Sequence, residues 1–351
     1  MLKRFLIVLA VLFAIGIIAA AALNYVYNSM LDPVDPAAED EYTVVEIPSG
    51  ANTDVIANIL YHENLIQNEL AFRYYVRSNE LGQGFLAGRY RLSPSMGVSR
   101  IVDKIQSGEI YTETVWFTIP EGYTVEQIAA RLEAEGLVEG HIILDLAEDP
   151  PVPILESFPY LQDIEVQDLD YLLEGYLFPD TYEIFTDAGE EDIVRLMLKK
   201  MDEILDEESK NRAEELNLSL HEVMTIASLV EREAAVDHER ARIAGVIYNR
   251  LAIGQRLQID ATIQYILGET KEFLTYADLE IASPYNTYQN AGLPPGPIAA
   301  PGWSSIEAAL YPEDTDYFYY NYKYDGTGEH YFSHTYQEHL QNVRLAEENL
   351  Q

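Results

Sequence analysis

The chain of 351 residues contains no cysteine and few basic residues. Without cysteine it has no disulfide framework, no thiolate metal site and no cysteine nucleophile. Only 22 Lys and Arg stand against 59 Asp and Glu, which gives a formal net charge of −37. Binding to nucleic acid phosphates requires a basic surface, so this composition excludes nucleic acid as a partner. It also argues against a broad electrostatic attraction to anionic lipid.

The remaining composition is that of a folded protein. Hydrophobic residues make up 48% of the chain, which is ample for packed cores and excludes wholesale disorder. At roughly 100–200 residues per domain, the length predicts two or three domains. The acidity is typical of a solvated surface, and adaptation to a salty habitat is an alternative that the sequence leaves open.

The amino terminus has the pattern of a membrane anchor. Phe5 to Leu23 is a run of 19 residues without a charge, and about 20 apolar residues span a bilayer. Lys3 and Arg4 precede this run, while tyrosines and acidic residues follow it, which places the amino terminus inside and the body outside. A cleaved signal peptide is the alternative, because Ala19–Ala22 offers small residues to a peptidase. The length of the run favours an uncleaved anchor.

Two segments repeat at an offset of 72 residues, IPSGANTDVIANILYHENLI from Ile47 and IPEGYTVEQIAARLEAEGLV from Ile119. In each copy a β-rich approach ends at Pro, a Gly permits a tight turn, and apolar residues follow at helical spacing. N-cap candidates stand at Asn52, Thr53 and Thr124. Both copies therefore predict a strand–turn–helix unit.

The first copy continues into a helix (Glu69–Ser78), a strand (Ala87–Ser93) and a further helix (Ser99–Gln106). This βααβ order resembles a LysM domain, which is a small carbohydrate-binding fold. Sugar binding by the segment from Tyr42 to Ile110 is one interpretation, and a spacer or docking surface is the other.

The composition of the sequence changes from about Tyr171 onward, beginning with the segment LEGYLFPDTYEI, which is rich in aromatic residues. An amphipathic pattern predicts one long helix over Glu190–Asn211. The next segment predicts a helix, a break near Asp237 and a second helix to about Ile253. A stop at Gly254 and a polar strand or loop complete this region.

The helix before Asp237 carries two glutamates with different surroundings. At about 100° per residue, Glu233 falls on the apolar stripe that includes Val230, whereas Glu231 points about 200° away, toward Met224 and Ser228. Because an ionised carboxyl on an apolar face is costly, we expect the pKa of Glu233 to be raised, as a general acid requires. The alternative is that Glu233 escapes to water at the helix end or pairs with a basic residue such as Arg250.

The segment Ser283–Gly302 reads SPYNTYQNAGLPPGPIAAPG and is too rich in proline for a regular helix or a central strand. Such a loop could present Tyr285, Asn286, Tyr288 and Gln289 to a sugar, or it could simply cover the core.

Beyond a short helix (Ser304–Leu310), Asp325-Gly326 and Thr327-Gly328 mark a hairpin between aromatic strands. The three histidines of this region, His330, His334 and His339, lack a helical HxxxH spacing, and we predict no metal site.

Several motifs in one order resemble the MltG (YceG-like) family of endolytic murein transglycosylases. They are LEGYLFPDTY, IASLVERE, IYNRL, RLQIDATIQY, SPYNTY, GLPPGPIAAPG and HYFSHTYQEH. The resemblance covers nearly the whole chain, although Ala234-Ala235-Val236 stands where Thr often follows the second Glu.

The resemblance implies cleavage of the β-1,4 bond between N-acetylmuramic acid and N-acetylglucosamine within peptidoglycan strands, with a 1,6-anhydro product. Ordinary glycosidases use two carboxyl groups. Here the C6 hydroxyl of the substrate attacks, so one Glu acts first as acid and then as base, with no cofactor. The motif assigns this role to Glu233, with Glu231 as second choice. The expected substrate-binding residues are Tyr285, Asn286, Tyr288, Asn249, Gln258, Asp260 and Glu174.

The expected fold class is α+β, with a transmembrane helix, a LysM-like module, a related small subdomain and a catalytic domain. The expected boundaries are 1–27 for the cytoplasmic tip and anchor, 28–41 for a polar linker, 42–112, 113–165 and 166–351. We expect a single-pass protein of the bacterial cell membrane that acts on peptidoglycan, with cell-wall synthases as candidate partners. A hydrolytic muramidase and a non-enzymatic wall-binding scaffold remain alternatives.

Overall fold

The computed structural model describes residues 2–82, 84–162, 164, 167–271 and 273–350, with side chains from residue 12 onward. The fold is mixed α+β, as expected. The chain forms two compact units, Met1–Glu113 and Thr114–Gln351.

The first unit carries an amino-terminal helix followed by a β–α–α–β–α segment. Its elements are α1 (Leu2–Ser29), β1 (Thr43–Ile47), α2 (Thr53–His62), α3 (Glu69–Ser78), β2 (Gly88–Leu92) and α4 (Val98–Ser107). Strands β1 and β2 pair antiparallel, with Thr43 opposite Leu92 and Ile47 opposite Gly88. Buried side chains from both strands and from α2, α3 and α4 form one hydrophobic core. The βααβ order expected from the sequence is therefore present.

The internal repeat has the predicted local structure in both copies. The glycines of the two turns, Gly50 and Gly122, have φ values of 74° and 75°, a left-handed conformation that favours glycine. The side chain of Asn52 accepts a hydrogen bond from Val55 N, and Thr124 forms a capping box at the second helix. The strand–turn–helix prediction is confirmed.

Helix α1 is apolar over Leu12–Ser29, and no part of this window is buried in the protein. Eighteen residues rise about 27 Å, so α1 is long and apolar enough to cross a membrane. The side chains of Lys3 and Arg4, on which the expected orientation depends, lie outside the described residues.

The segment expected to be a polar linker is bound to the first unit. The carbonyl oxygen of Leu31 accepts from Val98 N at 3.0 Å, and Ser93 Oγ donates to the carbonyl of Ala38 at 2.8 Å. Gln67 also donates to two carbonyls of this segment. Composition did not predict this docking, because the contacts use backbone carbonyls that any residue possesses.

The second unit has two further antiparallel strand pairs among its helices. Its elements are β3 (Thr114–Thr118), α5 (Val125–Ala134), α6 (Gly140–Glu148), α7 (Val152–Ser157), β4 (Thr181–Phe185), α8 (Glu190–Ile204), α9 (Glu207–Glu215), α10 (Leu220–Glu233), α11 (Arg240–Ala252), α12 (Asp260–Leu267), α13 (Tyr276–Leu279), α14 (Trp303–Leu310), β5 (Tyr319–Tyr322), β6 (His330–Ser333) and α15 (Tyr336–Asn349).

The expected small subdomain and the expected catalytic domain share structure within this unit. Strand β3 pairs with β4, with Phe117 opposite Tyr182, and one hydrophobic core extends from Phe117 to Leu310. The expected boundary between residues 165 and 166 lies outside the described residues.

Two predicted elements differ from the structure. The long helix expected over Glu190–Asn211 is wrong, because the chain breaks after Ile204 and Asp206 caps α9 by accepting from Ser209 N at 2.9 Å. The polar strand or loop expected after Gly254 contains α12, which ends at Gly268 with a φ of 66°. The predicted hairpin is confirmed, since β5 pairs with β6 across Asp325–Gly328.

Candidate active site

Helix α10 carries both candidate glutamates through the centre of the second unit. Ser219 and Glu222 form a capping box at its start, and every residue from Val223 to Val230 is buried. The flank with Met224 and Ser228 is therefore as buried as the apolar stripe. A helix that is buried on all sides does not discriminate between its two glutamates by face alone.

Glu231 is anchored in the protein, and the expectation that it points away from the packed side is wrong. Its side chain is 7% exposed and pairs with Arg240 at 3.1 Å. One carboxylate oxygen also accepts from Ser305 Oγ at 2.7 Å and from Gly302 N at 3.1 Å, next to the start of α14. Glu231 thus joins α10 to the first turns of α11 and α14.

Glu233 is the last residue of α10 and its side chain is half-buried. Burial raises the pKa of Glu233 to about 7, and the negative charge of Asp260 adds to the rise. The Tyr320 hydroxyl, the Ala261 amide and the Arg232 charge oppose it. A carboxyl with this pKa holds its proton for part of the time at neutral pH, as a general acid must.

Asp260 and Tyr288 meet beside Glu233. Asp260 is the first residue of α12, and the Tyr288 hydroxyl donates to its carboxylate. Burial, the hydrogen bond to Asp260 and the negative charge of Glu233 raise the pKa of Tyr288, so it stays a neutral donor. Two predicted cleft residues therefore lie together at the predicted acid.

Arg250 occupies the same region but is held by the backbone. Its guanidinium donates to the carbonyl of Phe318 at 2.6 Å and to that of Leu257 at 2.5 Å, and it lies 5.0 Å from the Tyr319 ring centre. Burial lowers the pKa of Arg250. Among the ion pairs of the described residues there is none between Arg250 and Glu233, so the alternative that Arg250 neutralises Glu233 is not supported.

Glu174 is a second buried carboxyl, only 2% exposed. Burial raises the pKa of Glu174 to about 8, against the opposing hydrogen bonds from the Val125 and Gly175 amides. It lines a cavity of 520 Å³ together with Arg232, Ala261 and Tyr265. Glu233 does not line this cavity, although its neighbours Arg232 and Ala261 do.

The turn at Glu174 packs tightly on the proline-rich loop. Gly175 has a φ of 82°, and a Cβ atom there would lie 2.4 Å from Cβ of Pro297. His221 Nε2 lies 2.8 Å from the carbonyl oxygen of Pro295, which only accepts, so the proton is on Nε2 and Nδ1 accepts from Tyr176. Burial lowers the pKa of His221, in keeping with this neutral tautomer.

Other predicted substrate-binding residues are used inside the protein. Asn286 is fully buried, and its amide donates to the carbonyls of Leu279 and Ile281. Tyr285 is 2% exposed, and the Asn249 amide donates to the carbonyls of Thr315 and Tyr317. The two asparagines hold loops through these hydrogen bonds, Tyr285 and Asn286 are buried, and Asn249 is partly exposed.

Gln258 is exposed and has a left-handed backbone conformation with a φ of 51°. It stands two residues before Asp260, the first residue of α12. Its backbone amide donates to the Thr287 carbonyl at 3.1 Å. The histidines of the carboxy-terminal region have protein partners: His330 lies 2.8 Å from Glu239, His334 lies 2.9 Å from Asp316, and the ring of His339 stacks on that of Tyr319.

Sequence reasoning missed Tyr320 and Arg232 as neighbours of Glu233. Tyr320 lies in a run of tyrosines, and only the pairing of β5 with β6 decides which of them faces inward. No sequence pattern pointed to Arg232, whose guanidinium donates to the Gly122 carbonyl at 2.9 Å and which lines the cavity.

Comparison with known proteins gives a consistent result. A model of the YceG-like family matches residues 45–345. A protein of Bacillus subtilis (strain 168) named endolytic murein transglycosylase is 39% identical over 320 residues, or 89% of this chain and 86% of that protein. One of the same name from Streptococcus pneumoniae serotype 2 (strain D39) is 34% identical over 97% of this chain and 64% of that protein.

The crystal structure of a YceG-like protein from Listeria monocytogenes is similar to this one, with a TM-score of 0.60 and 39% sequence identity. The match covers 86% of this chain and 99% of that chain. The residues matched by the family model, 45–345, include Glu174, Glu233, Asp260 and Tyr288. The chain belongs to the YceG-like family.

Proposed function

We propose that this protein is a membrane-anchored endolytic murein transglycosylase that cleaves within glycan strands of peptidoglycan and leaves 1,6-anhydro-muramic acid ends. The observation that carries the proposal is Glu233, a half-buried carboxyl whose pKa is about 7, beside a tyrosine donor and a second carboxylate. The shared name of the relatives from B. subtilis and S. pneumoniae supports the same activity.

Glu233 performs both proton transfers in this account. In its protonated form it donates to the glycosidic oxygen as the bond to the muramic acid C1 breaks. The resulting carboxylate then accepts the proton of the C6 hydroxyl as that oxygen bonds to C1, which regenerates the acid. A pKa near the working pH suits a residue that must both give and take a proton. No water enters the product.

The neighbours of Glu233 have supporting roles in this proposal. The Asp260 carboxylate maintains the raised pKa of Glu233, and Tyr288 with Gln258 contacts the sugar at the exposed rim. Asn249, Tyr285 and Asn286 act indirectly, by holding the loops from which the rim is built. Burial raises the pKa of Glu174 to about 8, which favours its protonated form at pH 7, and Glu174 serves as a hydrogen-bonding group of the adjoining cavity.

A hydrolytic muramidase is the second candidate, and Asp260 is the observation that favours it. A hydrolase needs a second carboxylate to activate water or to attack C1, and Asp260 is the carboxylate next to Glu233. Mass spectrometry of the products from purified sacculi separates the two, because an anhydro end is about 18 Da lighter than a reducing end. Anhydro-muropeptides support the lyase, whereas reducing muramic acid ends alone overturn it.

We further propose that α1 anchors the protein with its amino terminus in the cytoplasm, and that the first unit is a LysM-like module that binds glycan. The apolar length of α1 and the βααβ order support these assignments. Cell-wall synthases are proposed partners. A non-enzymatic scaffold would bind sacculi without releasing any muropeptide, and the same mass spectrometry tests that alternative.

A further inference from the structure

A side-chain stripe on α3 lies beside the end of the apolar helix α1. The rings of Tyr27 and Tyr74 meet edge to face, with centres 5.2 Å apart. Leu70 and Tyr74 are exposed by 71% and 61%, and Arg77 follows them on the same helical stripe. We call Leu70, Tyr74 and Arg77 the α3 stripe.

The position of Tyr27 along α1 fixes the depth of this stripe. The apolar run ends at Leu23, because the polar Asn24 follows it, so Tyr27 lies four residues, or about 6 Å, beyond the run along the same continuous helix. The polar layer on each side of a bilayer core is about 5–8 Å thick. If α1 spans the bilayer through this run, Tyr27 and the Tyr74 ring packed on it lie among the lipid headgroups.

The connection after α1 is too short and too well bound to let the first unit move away. Only Met30 stands between Ser29, the last residue of α1, and Leu31, whose carbonyl binds Val98 N. Leu31 also packs against the core of the first unit. The α3 stripe therefore stays at the depth that α1 sets.

The chemistry of the stripe suits a bilayer interface. Tyrosine is enriched at headgroup level, and arginine places its stem on apolar surface while its guanidinium reaches a phosphate. Arg77 is exposed and takes part in none of the ion pairs among the described residues, whereas its neighbour Arg73 is paired with Asp54 at 3.0 Å and with Glu69 at 2.6 Å. The three residues of the stripe carry no acid, although Asp54 and Glu80 line the same groove and Asp54 is paired with Arg73.

We propose that the α3 stripe is a second membrane contact, which rests on the phospholipid headgroup layer of the bilayer that holds α1. Leu70 and Tyr74 enter the interface, and Arg77 binds a lipid phosphate. The inference rests on the proposed membrane anchor and is independent of the proposed chemistry. Its consequence is that the first unit is held against the membrane at two places and cannot rotate freely about α1.

The absence of cysteine makes a direct test possible, because any single introduced cysteine carries a unique nitroxide label. We would label Leu70→Cys in the full chain, which leaves the Tyr27–Tyr74 contact intact, and reconstitute it in nanodiscs of phosphatidylcholine and phosphatidylglycerol. Ile17→Cys, in the middle of the apolar run, reports insertion of α1. Glu109→Cys, two residues beyond the carboxy-terminal end of α4, is the exposed control.

Collision with oxygen marks a label in lipid, and collision with a water-soluble nickel chelate marks one in water. We expect the Leu70 label to be shielded from nickel relative to the Glu109 label, and Arg77→Glu to remove that shielding. If the Leu70 label is as accessible to the nickel chelate as the Glu109 label while the Ile17 label lies in lipid, the membrane contact of the α3 stripe is overturned. The membrane anchor is not overturned by that result. An Ile17 label open to nickel overturns both and leaves the chemistry of Glu233 untouched.

Discussion

The two glutamates of α10 stand two residues apart and differ in what surrounds them. Glu231 has a cation, a hydroxyl and a backbone amide within hydrogen-bonding distance, and these contacts fix its side chain in place. Glu233 has burial and a nearby carboxylate, which favour its protonated form. These different environments support the proposal that Glu233 transfers protons and Glu231 has a structural role.

Removing the charge of Asp260 should change the pH dependence of the reaction. Asp260 raises the pKa of Glu233, so Asp260→Asn should lower that pKa below about 7. In the proposed mechanism protonated Glu233 is the active form, so the decline of kcat/KM at alkaline pH should begin at a lower pH in this variant. The pH profile of muropeptide release measures the shift. Glu280→Gln, which removes an exposed carboxylate outside the cluster, should leave the profile in place.

Glu231→Gln should weaken the fold more than it alters the chemistry. Arg240 is 11% exposed, and removing one partner of a buried ion pair costs about 3–5 kcal/mol. Urea unfolding measures the loss. Asp237 pairs with the same arginine but is 86% exposed, so Asp237→Asn should cost less than about 1 kcal/mol. Equal losses in the two variants would show that Glu231 is not the buried anchor.

At the scale of elements, the site is built where α10, the turn at Glu174 and the proline-rich loop pack together. Ser228 Oγ of α10 accepts from Ile298 N at 3.0 Å, and the Gly175 turn lies directly on Pro297. These contacts use a small side chain, a glycine and a proline, so there is little room for the loop to shift without moving Glu174.

Gly175→Ala tests this packing. A Cβ atom at Gly175 would meet Pro297 at 2.4 Å and would also strain a backbone with a φ of 82°, so we expect a large loss of both stability and activity. Gly254 is the matched control: its φ is 66° and nothing lies within 4 Å, so Gly254→Ala should cost only about 1–2 kcal/mol of backbone strain. Thermal unfolding of the two variants gives the comparison. A Gly175 variant as stable as the Gly254 variant would contradict the tight packing.

The sequence predicted local elements better than it predicted their surroundings. The repeat, its caps and the aromatic hairpin follow from turn residues and periodicity, which act over a few positions. The break at Asp206 was missed because an acidic residue in an acidic amphipathic stretch gives little sign of a cap. Asn286 was expected to bind sugar, yet its amide holds Leu279 and Ile281, partners that only the fold of the loop supplies.

At the scale of the whole molecule, the net charge of −37 destabilises the folded state through repulsion between like charges. Most carboxylates lie at the surface, where their mutual repulsion favours expansion. Among the residues that the structure describes, Glu174 and Glu233 have strongly raised pKa values, and their protonated forms escape this repulsion. The excess of negative charge therefore affects stability and solubility. The proposed function depends instead on particular carboxyl groups such as Glu233.

Salt should accordingly stabilise the protein. Raising ionic strength to about 0.15 M shortens the screening length to about 8 Å, which weakens repulsion between surface carboxylates. We expect the midpoint of thermal unfolding of the detergent-solubilised chain to rise with sodium chloride and to change far less with an equal osmolality of sucrose. A midpoint that falls with sodium chloride would mean that surface ion pairs outweigh the repulsion.

The central claim is that Glu233 alone carries both proton transfers, and product analysis of matched glutamine variants on purified sacculi tests it most directly. Glu233→Gln should fold yet release anhydro-muropeptides about a hundred- to ten-thousand-fold more slowly. Glu174→Gln should stay close to wild type, because burial raises the pKa of Glu174 to about 8 and glutamine resembles the protonated carboxyl that this favours. A Glu233→Gln protein that releases anhydro-muropeptides at the wild-type rate, while Glu174→Gln or folded Glu231→Gln does not, would contradict the account.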